Sequence, residues 1–342
     1  MKQCFAWFAL VPPSPAPSPA WLYSAARVGV YLTIAGGFLQ VLLGFDQGVL
    51  RLLPIVASAL LFGLPHGAID HLVALGLAKV HLRLGSLLIV ASLYLALALL
   101  FALLWWLAPA LALTAFLLIT IYHWGTADTA FERILHPDNL LFQSFGFRSL
   151  HGFLRGLTPI GMPLVAFPNE TEAFLLSCTS LFSTTAPDLE NGRLFVGVIL
   201  LLLLLAELVV LMRNRTRSNR RLLLESLALA AFFFFVPPLI AIGWYFCLWH
   251  GLRHVLRLCR YQTEPETPTS LRHSLVTFFI RAFPFTVLSL VFLYLASWLI
   301  PTEADPERGV ALYLVLISTL TFPHMLLVEW MDRKEFWHVH SP

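Results

Sequence analysis

Long apolar runs alternate along the chain with short polar, mostly basic connections. A helix that crosses a bilayer needs about 20 apolar residues, and runs of that kind fall near 21–44, 50–78, 84–107, 109–130, 148–168 with a continuation toward 182, 194–212, 222–238, 239–259, 274–300 and 309–331. The pattern predicts an all-α, polytopic bundle of transmembrane helices with about eight to ten spans. Ten is the count if every run crosses; it falls if 148–182 or the Pro237-Pro238 break marks one broken or re-entrant element. No connection is long enough to fold alone, and no internal repeat is visible. Residues 21–331 therefore read as a single membrane domain, with a Pro-rich lead at 1–20, expected to be disordered, and a short tail at 332–342.

Composition agrees with this class. Of all residues 58% are hydrophobic and 12% charged, and the mean hydropathy is +0.80, more apolar surface than a soluble domain can bury. The net charge of +3 comes mainly from loop arginines, which orient a membrane protein and do not call for nucleic acid. The Arg213–Arg221 cluster marks one side, and Lys79, Arg83, Arg133 and Arg333 share it when the spans alternate. By the positive-inside rule that side is cytoplasmic, and so are both termini. The four cysteines lack paired spacing, so neither a disulfide framework nor a Cys-type zinc site is indicated.

Histidine carries the candidate chemistry. Four motifs, Pro65-His66-Gly67-Ala68-Ile69-Asp70-His71, Tyr122-His123-Trp124-Gly125, Trp249-His250-Gly251-Leu252-Arg253-His254 and Pro323-His324, lie in spans that run from outside to inside. Their histidines sit about 11 to 15 residues into those spans, so at about 1.5 Å per residue they share a plane to within roughly one helical turn. Ionisable groups at such depth are functional candidates by default. His250 and His254 are four apart and face one way, as a two-ligand helix requires. His66 and His71 point apart, so only His66 is expected to face the shared plane. His71, His81, His136, His151, His273, His338 and His340 lie near span ends or in loops and are read as solvated or interfacial.

An all-imidazole site suits a borderline transition ion and does not suit calcium or magnesium, which need oxygen cages. His66, His123, His250 and His254 are the candidate ligands and His324 a further one. Asp70 and Asp128 each follow a motif histidine by about one turn, the place of a carboxylate that takes the second ring N–H of a ligand. Tyr122, Trp124, Trp249 and Phe322 are candidates to line an apolar substrate tunnel, against the alternative that they are ordinary packing aromatics. Arg253 is expected to snorkel or pair with a carboxylate. No Gly-x-Gly-x-x-Gly after a strand, P-loop or Cys-x-x-Cys-His is present, so nothing points to nicotinamide, ATP or c-type haem.

The strings GLPHGAIDH, YHWGTAD, WHGLRH and PHMLLVEWMD, in that order over about residues 50 to 330, resemble those of the Brp/Blh family of membrane β-carotene 15,15′-dioxygenases. The resemblance implies an oxygenase that splits β-carotene at its central double bond with O2 into two molecules of all-trans-retinal. It implies Fe2+ held by His66, His123, His250 and His254, a substrate that arrives from the lipid bilayer, and a rhodopsin-type protein as recipient of the product. Iron(II) held by four imidazoles leaves coordination positions free, and no organic cofactor is needed. Two other readings stay open. An intramembrane metal or proton transporter would also bury His and Asp, although inverted repeats would be expected; a non-catalytic carotenoid- or retinal-binding partner of an opsin would need the pocket without the metal.

Overall fold

The computed structural model describes residues 20–182, 190–260, 270–299 and 306–340, and of residues 20, 190, 191 and 335–340 the backbone only. The Pro-rich lead and most of the acidic loop after Leu299 lie outside the described residues. Every regular element among the described residues is helical. In chain order they are α1 (Ala20–Leu42), a 3-10 turn (Gly48–Leu52), α2 (Leu53–Leu61), α3 (Gly63–Ala68), α4 (Asp70–Leu77), α5 (Leu84–Leu107), α6 (Pro109–Leu135) and a second 3-10 turn (Leu140–Gln143). There follow α7 (Phe145–Ala166), α8 (Pro168–Ser180), α9 (Glu190–Arg213), α10 (Arg217–Phe235), α11 (Pro238–Trp244), a π-helical segment (Tyr245–Gly251), α12 (Leu252–Arg260), α13 (Leu271–Leu299) and α14 (Pro306–His340).

Seven helical stretches among the described residues are long and apolar enough to cross a membrane: Trp21–Leu42, Gly48–Leu77, Leu84–Leu107, Pro109–Leu135, Gly192–Arg213, Leu271–Leu299 and Pro306–Lys334. Three further runs expected to cross are helical but more polar. Helix α7 carries Arg148 and Arg155, α10 carries four charges over its first nine residues, Arg217–Glu225, and the segment Pro238–Arg260 ends with Arg253, Arg257 and Arg260. These charges lower the mean hydropathy of helices that the bundle nonetheless packs: α7 lies against α6, α9 and α10.

Burial separates rim from centre. Of the apolar window in Pro306–Lys334, 56% is buried, against 11% in Leu84–Leu107 and 17% in both Gly192–Arg213 and Leu271–Leu299. Helix α14 thus runs through the middle, and α5, α9 and α13 present most of their surface outward, as lipid-facing helices do. The tail expected at 332–342 begins inside α14, which continues unbroken to His340.

The second apolar run is not one helix. It breaks at Phe62 (φ −132°) and again at Ile69 (φ −99°). Pro65 explains the first break: it has no N–H to donate, and its ring would collide with the carbonyl four residues back in a continuous helix.

Helices α6 and α7 approach closely enough to exclude a methyl group. A Cβ on Gly125 would lie 1.9 Å from the Gly152 carbonyl oxygen, and one on Gly156 would lie 1.8 Å from that of Ile121. Small residues allow such backbone contact between membrane helices. Gly156→Ala is expected to push α7 away from α6 and lower stability by about 1–3 kcal/mol, the range for overpacking. A thermal melt of the purified protein in detergent reads this directly, and an unchanged midpoint would show that the helices can part without loss.

Candidate metal centre

Five imidazoles meet inside the bundle. His66 comes from α3, His123 from α6, His250 from the π-helical segment, His254 from α12 and His324 from α14, and none is more than 6% exposed. Ring centroids lie 5.4 Å apart for His66 and His250, 5.3 Å for His66 and His254, 4.9 Å for His66 and His324, 5.1 Å for His123 and His250, 5.0 Å for His123 and His324, and 5.2 Å for His254 and His324. One donor nitrogen from each of His66, His123 and His250 lies within 4.8 Å of the other two. Separate helices thus bring together all five histidines singled out as ligand candidates.

Local structure aims each ring. The Phe62 carbonyl accepts the backbone N–H of His66 at 3.2 Å and also lies 3.0 Å from His66 Nδ1. The π-helical turn precedes His254 and contains His250, whose ring stacks on Phe246 at 5.8 Å. Such wide turns inside α-helices are frequent at functional sites. His324 Nδ1 is 2.8 Å from Asp70 Oδ2.

The remaining nitrogens fit a cation. Both ring nitrogens of His123, Nε2 of His250, Nδ1 of His254 and Nε2 of His324 are buried without a hydrogen-bond partner. An unmatched buried polar atom costs about 1–3 kcal/mol, so this many in one place are unfavourable unless something electron-accepting sits among them. A donor set made only of imidazole suits iron, copper, zinc or nickel.

The two carboxylates do not stand where their spacing suggests. Asp70 accepts from Tyr94 at 3.0 Å and pairs with His324, not with His66. The second break, at Ile69, turns α4 out of phase with α3 and carries Asp70 off the face of His66. Asp128, one turn beyond His123, hydrogen-bonds no motif histidine. It accepts from Trp249 Nε1 at 3.1 Å and binds the Arg253 guanidinium, with Arg155 Nε at 3.4 Å. A carboxylate held away from water gains more from a cation than from a neutral ring N–H.

Arg253 organises a buried ionic cluster beside the histidines. Besides Asp128 it reaches Glu132 at 2.7 Å and Glu225 at 2.9 Å, and Arg155 stands 3.4 Å from Glu225. The Trp249 ring lies 4.5 Å from the Arg253 guanidinium carbon and 5.4 Å from that of Arg155, cation–π contacts on an indole that is wholly buried. Arg253 therefore pairs with carboxylates and does not snorkel. His151, expected at an interface, is fully buried and paired with Glu207. Sequence reasoning missed Arg155, Glu132, Glu225 and Glu207; the signal that could have found them is a charge inside, or just past the end of, an apolar run, the same signal that marks the histidines.

An apolar cavity of about 520 Å³ opens beside the cluster and is walled in part by His66, His123, His250 and His324. Of the four aromatic residues proposed to line it, Trp124 does. Tyr122 instead is 47% exposed and donates to Glu329 at 2.8 Å, Trp249 is taken up by the ionic cluster, and Phe322 packs on Phe101 at 6.2 Å. Tyr94, Phe246 and Phe285 supply the aromatic surface in their place.

The family model described as Beta-carotene 15,15'-dioxygenase matches residues 57–332. A protein of Halobacterium salinarum named as a probable beta-carotene 15,15'-dioxygenase Blh is 36% identical over 83% of this chain and 85% of its own. A beta-carotene 15,15'-dioxygenase of uncultured marine bacterium 66A03 is 27% identical over 81% of this chain and 93% of its own. No solved structure matches.

Proposed function

Because the chain belongs to the beta-carotene 15,15'-dioxygenase family, we propose that it cleaves β-carotene at the central 15,15′ double bond with O2 and releases two molecules of all-trans-retinal. The observation that carries this reading is the set of buried imidazoles with unpartnered nitrogens at the wall of an apolar cavity. A polyene hydrocarbon dissolves in the bilayer, so a cavity inside a membrane bundle meets its substrate without passing it through water.

His66, His123, His250 and His254 would hold Fe2+. Iron, when bound there, supplies the redox chemistry with O2 that side chains lack. The protein's own part is position and dryness. Trp124 and Phe246 flank His250 with ring centroids at 5.7 and 5.8 Å, and flat aromatic surfaces hold an extended polyene in one plane beside the ligands. Fixed placement, more than acid or base catalysis, would select which double bond reacts. The overall change is balanced: one C=C bond breaks, and each carbon gains one oxygen atom of O2.

In membrane terms we read α7, α10 and the segment from Pro238 to Arg260 as further spans, which gives about ten crossings. The basic loop between α9 and α10 supports a cytoplasmic position for that loop and for both termini. The cell membrane is then the site of action, and a rhodopsin-type protein a fitting recipient of retinal.

Expression in cells that make β-carotene tests the reading. The cells should lose their orange colour and accumulate retinal without added nicotinamide. Longer apocarotenals would place cleavage at another bond, and unchanged pigment with no bound metal would leave a carotenoid-binding protein instead of an oxygenase.

A further inference from the structure

We propose that His324 is a metal ligand through Nε2 and that Tyr94, acting through Asp70, is the positioning residue that aims it; the assignment rests on the iron-site reading above. Among the five rings, His324 lies 4.9, 5.0 and 5.2 Å from those of His66, His123 and His254. Like His66, it has three of the other rings close by. Its two nitrogens are differently engaged. Nδ1 is 2.8 Å from Asp70 Oδ2, while Nε2 is buried with no partner. An ionised carboxylate only accepts, so the pair puts the ring proton on Nδ1 and leaves a lone pair on Nε2. This is the arrangement by which a carboxylate orients a ligating histidine and raises its basicity.

Tyr94 holds that pair in place. Its hydroxyl is 3.0 Å from Asp70 Oδ2 and 3.2 Å from the carbonyl oxygen of Leu320, one helical turn before His324. One phenol therefore touches both the carboxylate and the turn of α14 that carries the imidazole. It comes from α5, otherwise a rim helix, and it also lines the apolar cavity. A substrate lying in the cavity contacts the residue that sets the aim of His324. A His–Asp pair with a purely structural task would account for Nδ1 but not for an idle Nε2 among four other imidazoles.

The test uses the full chain in lipid nanodiscs with Co2+ as the probe, because its ligand-field absorption reports coordination number and nitrogen donation without turnover. His324→Ala is expected to weaken Co2+ binding by at least about 100-fold, and Asp70→Asn by about 10 to 100-fold, the range for loss of a carboxylate behind a ligand. Tyr94→Phe removes one hydrogen bond and is expected to weaken binding by about threefold to tenfold. Added imidazole should restore the wild-type spectrum to His324→Gly, which a structural role would not allow. His324→Gln, which keeps a hydrogen-bonding side chain, should show the same loss and covers the case in which the smaller variants do not fold. Wild-type affinity and spectrum in a folded His324 variant would overturn the ligand role, and wild-type affinity in Tyr94→Phe would overturn the positioning role. A wild-type protein that takes up no Co2+ would overturn the metal-site reading and this assignment together, whereas the other results leave the former standing.

Discussion

Replacing any one of His66, His123, His250 or His254 with alanine is expected to abolish retinal formation and to reduce bound iron by at least about 100-fold, beyond the 10 to 100-fold typical of a residue that only supports a ligand. The four rings come from three separate stretches of chain and are each at most 6% exposed, so no neighbouring solvent-facing group can take the vacant place. His273→Ala should leave both quantities unchanged, because His273 lies at the exposed start of α13. Iron measured by mass spectrometry on purified protein, beside retinal measured in carotenoid-producing cells, separates loss of metal from loss of fold. Full iron content in one of the four variants would remove that residue from the ligand set.

A second large effect is expected at Arg253. Its guanidinium contacts Asp128 and Glu132, both closed to water, and Glu225, whose side chain is 23% exposed. Removing one partner of a buried ion pair costs about 3–5 kcal/mol, because the charge left behind has nothing to balance it. Arg253→Met should therefore give protein that melts far below wild type or fails to accumulate. Arg253→Lys keeps the charge but cannot fork to several carboxylates at once, and an intermediate melting point is expected. Arg253 sits between His250 and His254, so partial unfolding here should also lower metal occupancy. A wild-type melt for Arg253→Met would show that the cluster adds nothing to stability.

Much of the centre is legible in the order and length of the apolar runs. Run length places His66, His123, His250, His254 and His324 at one depth, and depth on converging helices is enough to bring their rings together. Unbroken helical phase, by contrast, does not hold. Asp70 follows His66 by one turn in the sequence, but the break at Ile69 gives it to His324 on the last helix. Asp128 illustrates a second limit: its partners Arg253 and Trp249 lie more than a hundred residues away, and no local spacing encodes them. The same holds for Tyr94, one phenol on a lipid-facing helix with no motif around it. Span number suffers from the opposite problem. Arg155 and Glu225 lower the mean hydropathy of their helices, although the two charges pair with one another.

The wide turn at Tyr245–Gly251 makes this stretch sensitive to residue number more than to residue type. An i→i+5 turn accommodates an additional residue without a break in the helix, so the part before it and the part after it are out of step with a uniform α-helical count. Before the turn, Trp244 donates to Gln40 at 2.9 Å on α1; after it, His254 faces the other imidazoles. Winding the same residues as a uniform α-helix would rotate everything downstream by about 100°. His250 and His254 would then swing away from the centre while their own chemistry stayed intact. For this helix, chain length is itself a specification of the site, one that a catalogue of point substitutions would never sample.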